Sequence, residues 1–277
     1  MEILLAKHAG FCMGVRRAVE TTMGLVEQGR GPIATFGPLI HNPQVLQQLE
    51  RQGVRVLQEI PAEASGIVVI RAHGIPPAQK ARLVASGATV EDATCPRVVK
   101  VQAIIDRYRK EGCSTVIVGD RDHAEVIGLM GYAGDTCQVV STLAEAEALA
   151  ISGPYIIVSQ TTQDEAMFER ISARILQRFP QGRLFNTICD STHKRQEEVR
   201  EMCREVEALI VVGGKNSANT KRLAEVAEGL GVPVFLVETA AELDQATLRR
   251  FARVGVTAGA STPTWIIEQV VDLLASL

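Results

Sequence analysis

Residues 115–130 read "TVIVGDRDHAEVIGLM": an apolar run, a glycine, a polar turn and an amphipathic helix. The same order of parts occurs at 33–49, "IATFGPLIHNPQVLQQL", and at 209–226, "LIVVGGKNSANTKRLAEV". Gly37, Gly119 and Gly213 close the apolar run in each copy, 82 and 94 residues apart. Order, length and punctuation make this a threefold repeat; residue identity is not required for it.

Working outward from these segments, each copy continues with a second short strand, "GVRVL", "TCQVV" or "GVPVFLV". A third strand follows and closes in a polar turn: "GIVVIRAHGIPP", "PYIIVSQTTQDEAMF", "RVGVTAGASTPTWII". The fourth leads into a cysteine and a helix: "EILLAKHAGFCMGVRRAVETTM", "GATVEDATCPRVVKVQAIIDRY", "GRLFNTICDSTHKRQEEVREM". Cys12, Cys95 and Cys189 therefore occupy one place in three units, separated by 83 and 94 residues.

Short apolar strands alternating with amphipathic helices predict parallel βαβ units and an α/β fold. Three small lobes follow, each with a parallel four-stranded sheet, over residues 13–95, 96–189 and 190–277. The third is one strand short, and residues 1–12 supply its closing strand. That closure predicts a pseudo-threefold trefoil, with the loops at the carboxyl ends of the strands directed at a common centre.

The bulk numbers limit the function. With 277 residues and 46% hydrophobic content the chain can bury a large core. A net charge of −3 offers no basic field for nucleic acid or an anionic membrane. No apolar stretch approaches the roughly 18 residues of a membrane span, and no signal peptide precedes the first strand. Six cysteines are too dilute for a disulfide scaffold, which predicts a cytoplasmic protein whose thiols pack, bind metal or attack substrates.

Taken singly, each of Cys12, Cys95 and Cys189 reads as a buried thiol. Their equivalence in the repeat makes them a set, and each precedes a helix whose amino end favours thiolate. Pro96 suits the first helical position after Cys95. Three thiolates without a fourth fit an iron-sulfur cluster with one iron left open. Cys113, Cys137 and Cys203 fall inside or beside strands and helices and read as packing thiols.

Other polar residues follow the repeat. His41 and His123 each stand four residues past the strand-ending glycine, where the third unit has Ser217 and then Asn219. The third-strand turns supply His73, the Thr161 and Thr162 pair, and Ser261. Such loops, with helix amino ends behind them, suit a phosphate or diphosphate. Glu125, two residues past His123, reads either as a first-turn helix charge or as a proton donor. Asp120, Asp122 and Asp190 share these loops and read as structural, while His8 and His193 have no counterparts.

"GFCMGV", "FGPLIHNPQV", "RAHGIP", "DATCPRV", "HAEVIG", "QTT", "KNSANT" and "GVTAGAST", in this order, resemble the LytB/IspH family of 4-hydroxy-3-methylbut-2-enyl diphosphate reductases over the full length. The resemblance implies a trefoil around a 4Fe-4S cluster held by Cys12, Cys95 and Cys189. It also implies the last step of the non-mevalonate isoprenoid route, the two-electron reductive dehydration of an allylic alcohol diphosphate to isopentenyl and dimethylallyl diphosphates. By position, His41, His73, His123, Ser217, Asn219 and Ser261 correspond to the diphosphate cradle. Glu125 corresponds to the proton donor, and Thr161 to the residue that holds the substrate hydroxyl and relays its proton. A ferredoxin or flavodoxin is the implied electron donor. One departure is visible: Ala218 stands where members commonly carry a second serine.

Two other readings use the same cysteines. A cluster-dependent dehydratase of the quinolinate synthase type needs no external electrons and lacks this motif order. A non-catalytic redox sensor or zinc-bound interaction protein would need the three cysteines alone.

Overall fold

The structure is a computed structural model that describes residues 1–277. Strand β1 (Glu2–Leu5) leads into helix α1 (Met13–Glu27). The first repeat then runs β2 (Ile33–Phe36), α2 (Pro43–Arg51), β3 (Arg55–Leu57), β4 (Ile67–Ile70), α3 (Pro77–Ala85), β5 (Thr89–Asp92) and α4 (Pro96–Lys110). The second runs β6 (Ser114–Val118), α5 (Ala124–Ala133), β7 (Cys137–Val140), α6 (Leu143–Ala148), β8 (Tyr155–Ser159), α7 (Glu165–Arg178), β9 (Arg183–Leu184) and α8 (Asp190–Met202). The third runs β10 (Ala208–Val212), α9 (Ala218–Gly229), β11 (Val234–Val237), α10 (Gln245–Leu248), β12 (Arg253–Ala258) and α11 (Thr264–Ala275).

These strands form three four-stranded sheets, in the orders β3-β2-β4-β5, β7-β6-β8-β9 and β11-β10-β12-β1. Every pairing is parallel. The α/β class and the three parallel sheets expected from the repeat are both present, and the strand order is the same each time. The N-terminal strand β1 lies at the edge of the third sheet, in register from Glu2 opposite Arg253 to Leu5 opposite Val256.

The strands at the centre of each sheet are apolar on both faces because helices cover both. In β10, Ile210 and Val212 pack with Val256, Ile266 and Val270. Leu209 and Val211 point the other way, onto Val199, Met202 and Leu223. This is the period-two alternation of a strand with two dry faces.

Strand β9 is the exception, pairing with β8 over two residues only. Beyond it the Thr187 side chain takes over from the ladder. Its hydroxyl accepts from Ser159 N at 2.7 Å and donates to Ser159 O at 2.7 Å. A side chain thus satisfies backbone groups that a longer strand would have paired.

The chain divides into two compact units: residues 1–15, 41–45 and 189–277, and residues 16–40 and 46–188. The first contains the sheet closed by β1; the second contains the other two. No helix is long and apolar enough to cross a membrane.

Candidate active site and metal centre

Cys12, Cys95 and Cys189 each immediately precede a helix, of 15, 15 and 13 residues. All six cysteines are unbridged. The repeat also appears in the backbone bonds: Cys12 N donates to Ala260 O at 3.1 Å, and Cys95 N donates to Ala72 O at 2.9 Å. Ala260 and Ala72 each lie two residues beyond the third strand of their sheets, so the same turn positions both cysteines. The Cys189 sulfur lies 3.3 Å from Ser191 Oγ. Thiols of this kind, at helix amino ends where a negative sulfur is favoured, are donors suited to iron.

The remaining cysteines differ in their surroundings. Cys113 and Cys137 pack beside Ile117, Val139 and Ile156, and Cys203 beside Val199 and Leu209. Burial pushes the Cys137 thiol up to about 11 and raises that of Cys203 as well. A thiol held protonated in an apolar setting is a packing group.

In the second unit Glu125 lies in the first turn of α5 and is 2% exposed. Its carboxylate accepts from Thr161 N at 2.6 Å and from Thr161 Oγ1 at 2.7 Å. Burial dominates and pushes the Glu125 pKa up to about 7, while the two Thr161 bonds oppose the rise. A carboxyl near 7 is half protonated at neutral pH and can deliver a proton. Thr161 follows β8 and Glu125 follows β6, strands that are neighbours in their sheet.

His123 caps the same helix, its Nδ1 accepting from Glu125 N at 3.2 Å. In the neutral ring that bond leaves the proton on Nε2, which is then a donor. The His73 ring meets the His123 ring edge to face, with centroids 5.3 Å apart. Gly131 permits this approach of α5 to the 73–76 turn, since a Cβ there would lie 2.5 Å from Pro76 Cβ.

In the first unit a second group of polar side chains is buried and neutral. Ser217 caps α9 and accepts from Thr220 N at 3.4 Å. Asn219, 4% exposed, has a buried Nδ2 with no hydrogen-bond partner. The Ser261 hydroxyl donates to His41 O at 3.0 Å, so this serine is engaged with the histidine's backbone. Gly214 lies so close to the same carbonyl that a Cβ would sit 2.5 Å from it. A buried amide donor without an acceptor is costly unless a ligand supplies one.

Sequence reading passed over two residues. Asn42 is wholly buried; its Oδ1 accepts from Val45 N at 3.0 Å, and its Nδ2 has no partner. An asparagine directly before a proline that opens a helix is a legible N-cap signal. Arg195 is buried too, at 4% exposure, in a helix whose charged sequence "DSTHKRQEEVREM" reads as solvent-facing. Its spacing of four and seven residues from Val199 and Met202 places it on the helix's buried face, a signal outweighed by the charge around it.

The profile of the LytB protein family matches residues 3–275. A 4-hydroxy-3-methylbut-2-enyl diphosphate reductase of Geobacter sulfurreducens is 45% identical over 272 residues, 98% of this chain and 96% of its own. One of Pelobacter propionicus is 43% identical over all of this chain and 99% of its own. Among solved structures, the E-1-hydroxy-2-methyl-but-2-enyl-4-diphosphate reductase of Plasmodium falciparum aligns with a TM-score of 0.94 at 29% identity, covering 98% of this chain and 87% of that one. A second, described as (E)-4-hydroxy-3-methyl-but-2-enyl diphosphate reductase, the terminal enzyme of the non-mevalonate pathway, is 40% identical over both full chains with a TM-score of 0.73.

Proposed function

Since the chain belongs to the LytB protein family, we propose that it carries out the reductive dehydration of (E)-4-hydroxy-3-methylbut-2-enyl diphosphate to isopentenyl and dimethylallyl diphosphates, the last step of the non-mevalonate route. The observation that carries this reading is the match over residues 3–275, which takes in every residue assigned below. Two electrons and two protons enter, and one water leaves.

Cys12, Cys95 and Cys189 hold a 4Fe-4S cluster, and the reading is supported by their common place before a helix and by the packed setting of the other three thiols. When bound, the cluster supplies electrons one at a time and a Lewis-acid site. A one-electron carrier such as a ferredoxin or flavodoxin reduces it. The compartment is the cytoplasm, because a thiolate-held cluster needs reducing surroundings.

The chain's own residues bind the anion and move the proton. His41, His73, His123, Ser217, Asn219 and Ser261 form the diphosphate cradle, in which the unpartnered Asn219 amide finds an acceptor. Side-chain donors and the amino end of α9 stabilise the anion without a lysine clamp. The protonated Glu125 carboxyl donates to Thr161 Oγ1, at the 2.7 Å separation of this pair. The threonine's own proton is then available to the departing hydroxyl, and Thr161 N holds the other carboxylate oxygen in place. Burial of Glu125 keeps bulk water from short-circuiting this transfer.

The test is anaerobic purification with iron and sulfide analysis, followed by a dithionite or viologen assay on the allylic diphosphate. Reductant-dependent turnover is expected, and turnover without external electrons would favour the quinolinate synthase type. Cys95→Ser should lose most of the iron and all turnover, whereas Cys203→Ala should keep both. Zinc in place of iron would sink the reading.

A further inference from the structure

Glu125 and Arg195 are the buried acid and the buried base of this chain, and the proton transfer uses only the first. Arg195 projects from α8, six residues past Cys189. Its Nη2 donates to Gly10 O at 2.6 Å, two residues before Cys12. Its Nη1 donates to Ser191 O at 2.9 Å, two residues after Cys189. One guanidinium thus ties together the backbone on either side of two equivalent cysteines.

A buried guanidinium needs negative charge nearby, because two carbonyl dipoles alone leave its desolvation poorly compensated. Burial moves its pKa below the ordinary arginine value, but an arginine stays charged in a protein. The acidic groups within its electrostatic reach are Cys12, Cys189 and Glu198. Glu198 accepts from Lys7 N at 2.6 Å and from His8 N at 3.0 Å and lies 3.1 Å from His8 Nδ1, so its hydrogen bonds go to the 7–8 turn while its charge still acts on Arg195. As thiolates, the two cysteines add the further negative charge that the buried cation favours.

We infer that Arg195 is a positioning and electrostatic residue for the iron-sulfur group: it ties the Cys12 loop to the helix that follows Cys189 and stabilises the more negative, reduced state of the cluster. The inference rests on the reading of these cysteines as ligands. Removing a nearby positive charge makes reduction harder, so the reduction potential falls. Arg17 provides an internal contrast. It bonds the Cys95 loop through Thr94 O at 3.1 Å and Asp92 O at 3.3 Å, yet it is exposed, so water screens its charge. The influence on potential belongs to Arg195.

The experiment is a redox titration followed by electron paramagnetic resonance on the anaerobically purified holoprotein, with iron and sulfide counts for each variant. Arg195→Gln should keep a cluster whose one-electron reduction equilibrium is about tenfold less favourable, a fall of about 59 mV. Arg195→Lys should recover at least half of that shift, and Arg17→Gln should stay at the parent value. Should Arg195→Gln fail to fold or hold iron, Glu198→Gln tests the same field with the opposite sign and should move the potential up. A parent-like potential in whichever of these two variants holds its cluster overturns the inference, as does an Arg195→Lys shift as large as that of Arg195→Gln. A parent protein without iron and sulfide would instead bring down the ligand assignment itself, a separate and recognisable failure.

Discussion

The loops after β6 and β8 and the loops after β10 and β12 occupy corresponding places in sheets of the same strand order, yet they carry opposite chemistry. The first set encloses an ionisable side chain, Glu125, with Thr161 as its hydrogen-bond partner. The second set buries Ser217, Asn219, Ser261 and Thr262, none of which carries a charge. Topology supplies the positions, and the side chains set the chemistry proposed for each. An acid that must change protonation state is stripped of water, which brings its pKa toward neutrality. Ser217, Asn219 and Ser261, the members of the proposed anion cradle that belong to the second set, are neutral donors whose charge does not change with pH.

The largest effect that could break this division is the loss of the acid. Glu125→Gln keeps the shape and can still accept from Thr161, but has no proton to give. Turnover should fall by roughly 10² or more. Iron content and substrate affinity should remain at parent values, measured by metal analysis and by titration calorimetry on the oxidised protein. Turnover near the parent rate under excess reductant would move the proton to another donor, with His123 the next to test.

On the neutral side, Asn219→Ala removes a donor that lacks a protein acceptor. Affinity for the diphosphate should weaken about tenfold to a hundredfold, or about 1.5–3 kcal/mol for a hydrogen bond to a charged group. Since the orphaned amide also burdens the ligand-free protein, stability should hold or rise slightly. Unchanged affinity would detach α9 from the anion.

A third test follows from the pKa of about 7 at Glu125, raised from 4.5 by burial. Turnover should decline about tenfold per pH unit above 7, as the reactive protonated form disappears. Stability carries the same signature. A carboxyl whose pKa is higher folded than unfolded contributes stability that is complete below 4.5 and lost as pH rises through 7. Glu125→Gln should abolish this loss, unfolding at higher denaturant than the parent above pH 7. Equal pH dependence in both proteins would place the titrating group elsewhere.

The comparison also marks how far the sequence could be read. The repeat and the three parallel sheets were legible because punctuation recurs: Gly37, Gly119 and Gly213 end strands, and Cys12, Cys95 and Cys189 stand directly before helices. Glu125 was legible as one of two alternatives. Burial and the bond to a residue 36 positions away favour the proposed proton donor, and they are long-range facts no local pattern encodes. For Arg195 the spacing from Val199 and Met202 marks the buried face, but its partner Gly10 lies 185 residues distant and its own helix is rich in charge. The shortness of β9 was equally hidden, because the side chain of Thr187 does there what a strand would do elsewhere.

The smallest expected effect sharpens the division most, because it adds a group instead of removing one. Ala218 opens α9 between Ser217 and Asn219 and is half-buried, so its side-chain position already borders the neutral set. Ala218→Ser places one hydroxyl there without changing charge. If the α9 amino end faces the diphosphate, that hydroxyl adds a donor, and affinity should tighten by about twofold to tenfold, as for one ordinary hydrogen bond of about 0.5–1.5 kcal/mol. A serine at the first helical position costs little, so the unfolding free energy should move by no more than about 0.5 kcal/mol. The pH limb near 7 should not move, since Glu125 titrates in its own dry pocket and a neutral substitution in the other loop set brings no charge to it. Tighter binding with an unmoved limb is what separate labour requires. An altered limb would mean that the anion's grip and the proton's release are one coupled event, and the contrast between the two loop sets would have to be abandoned.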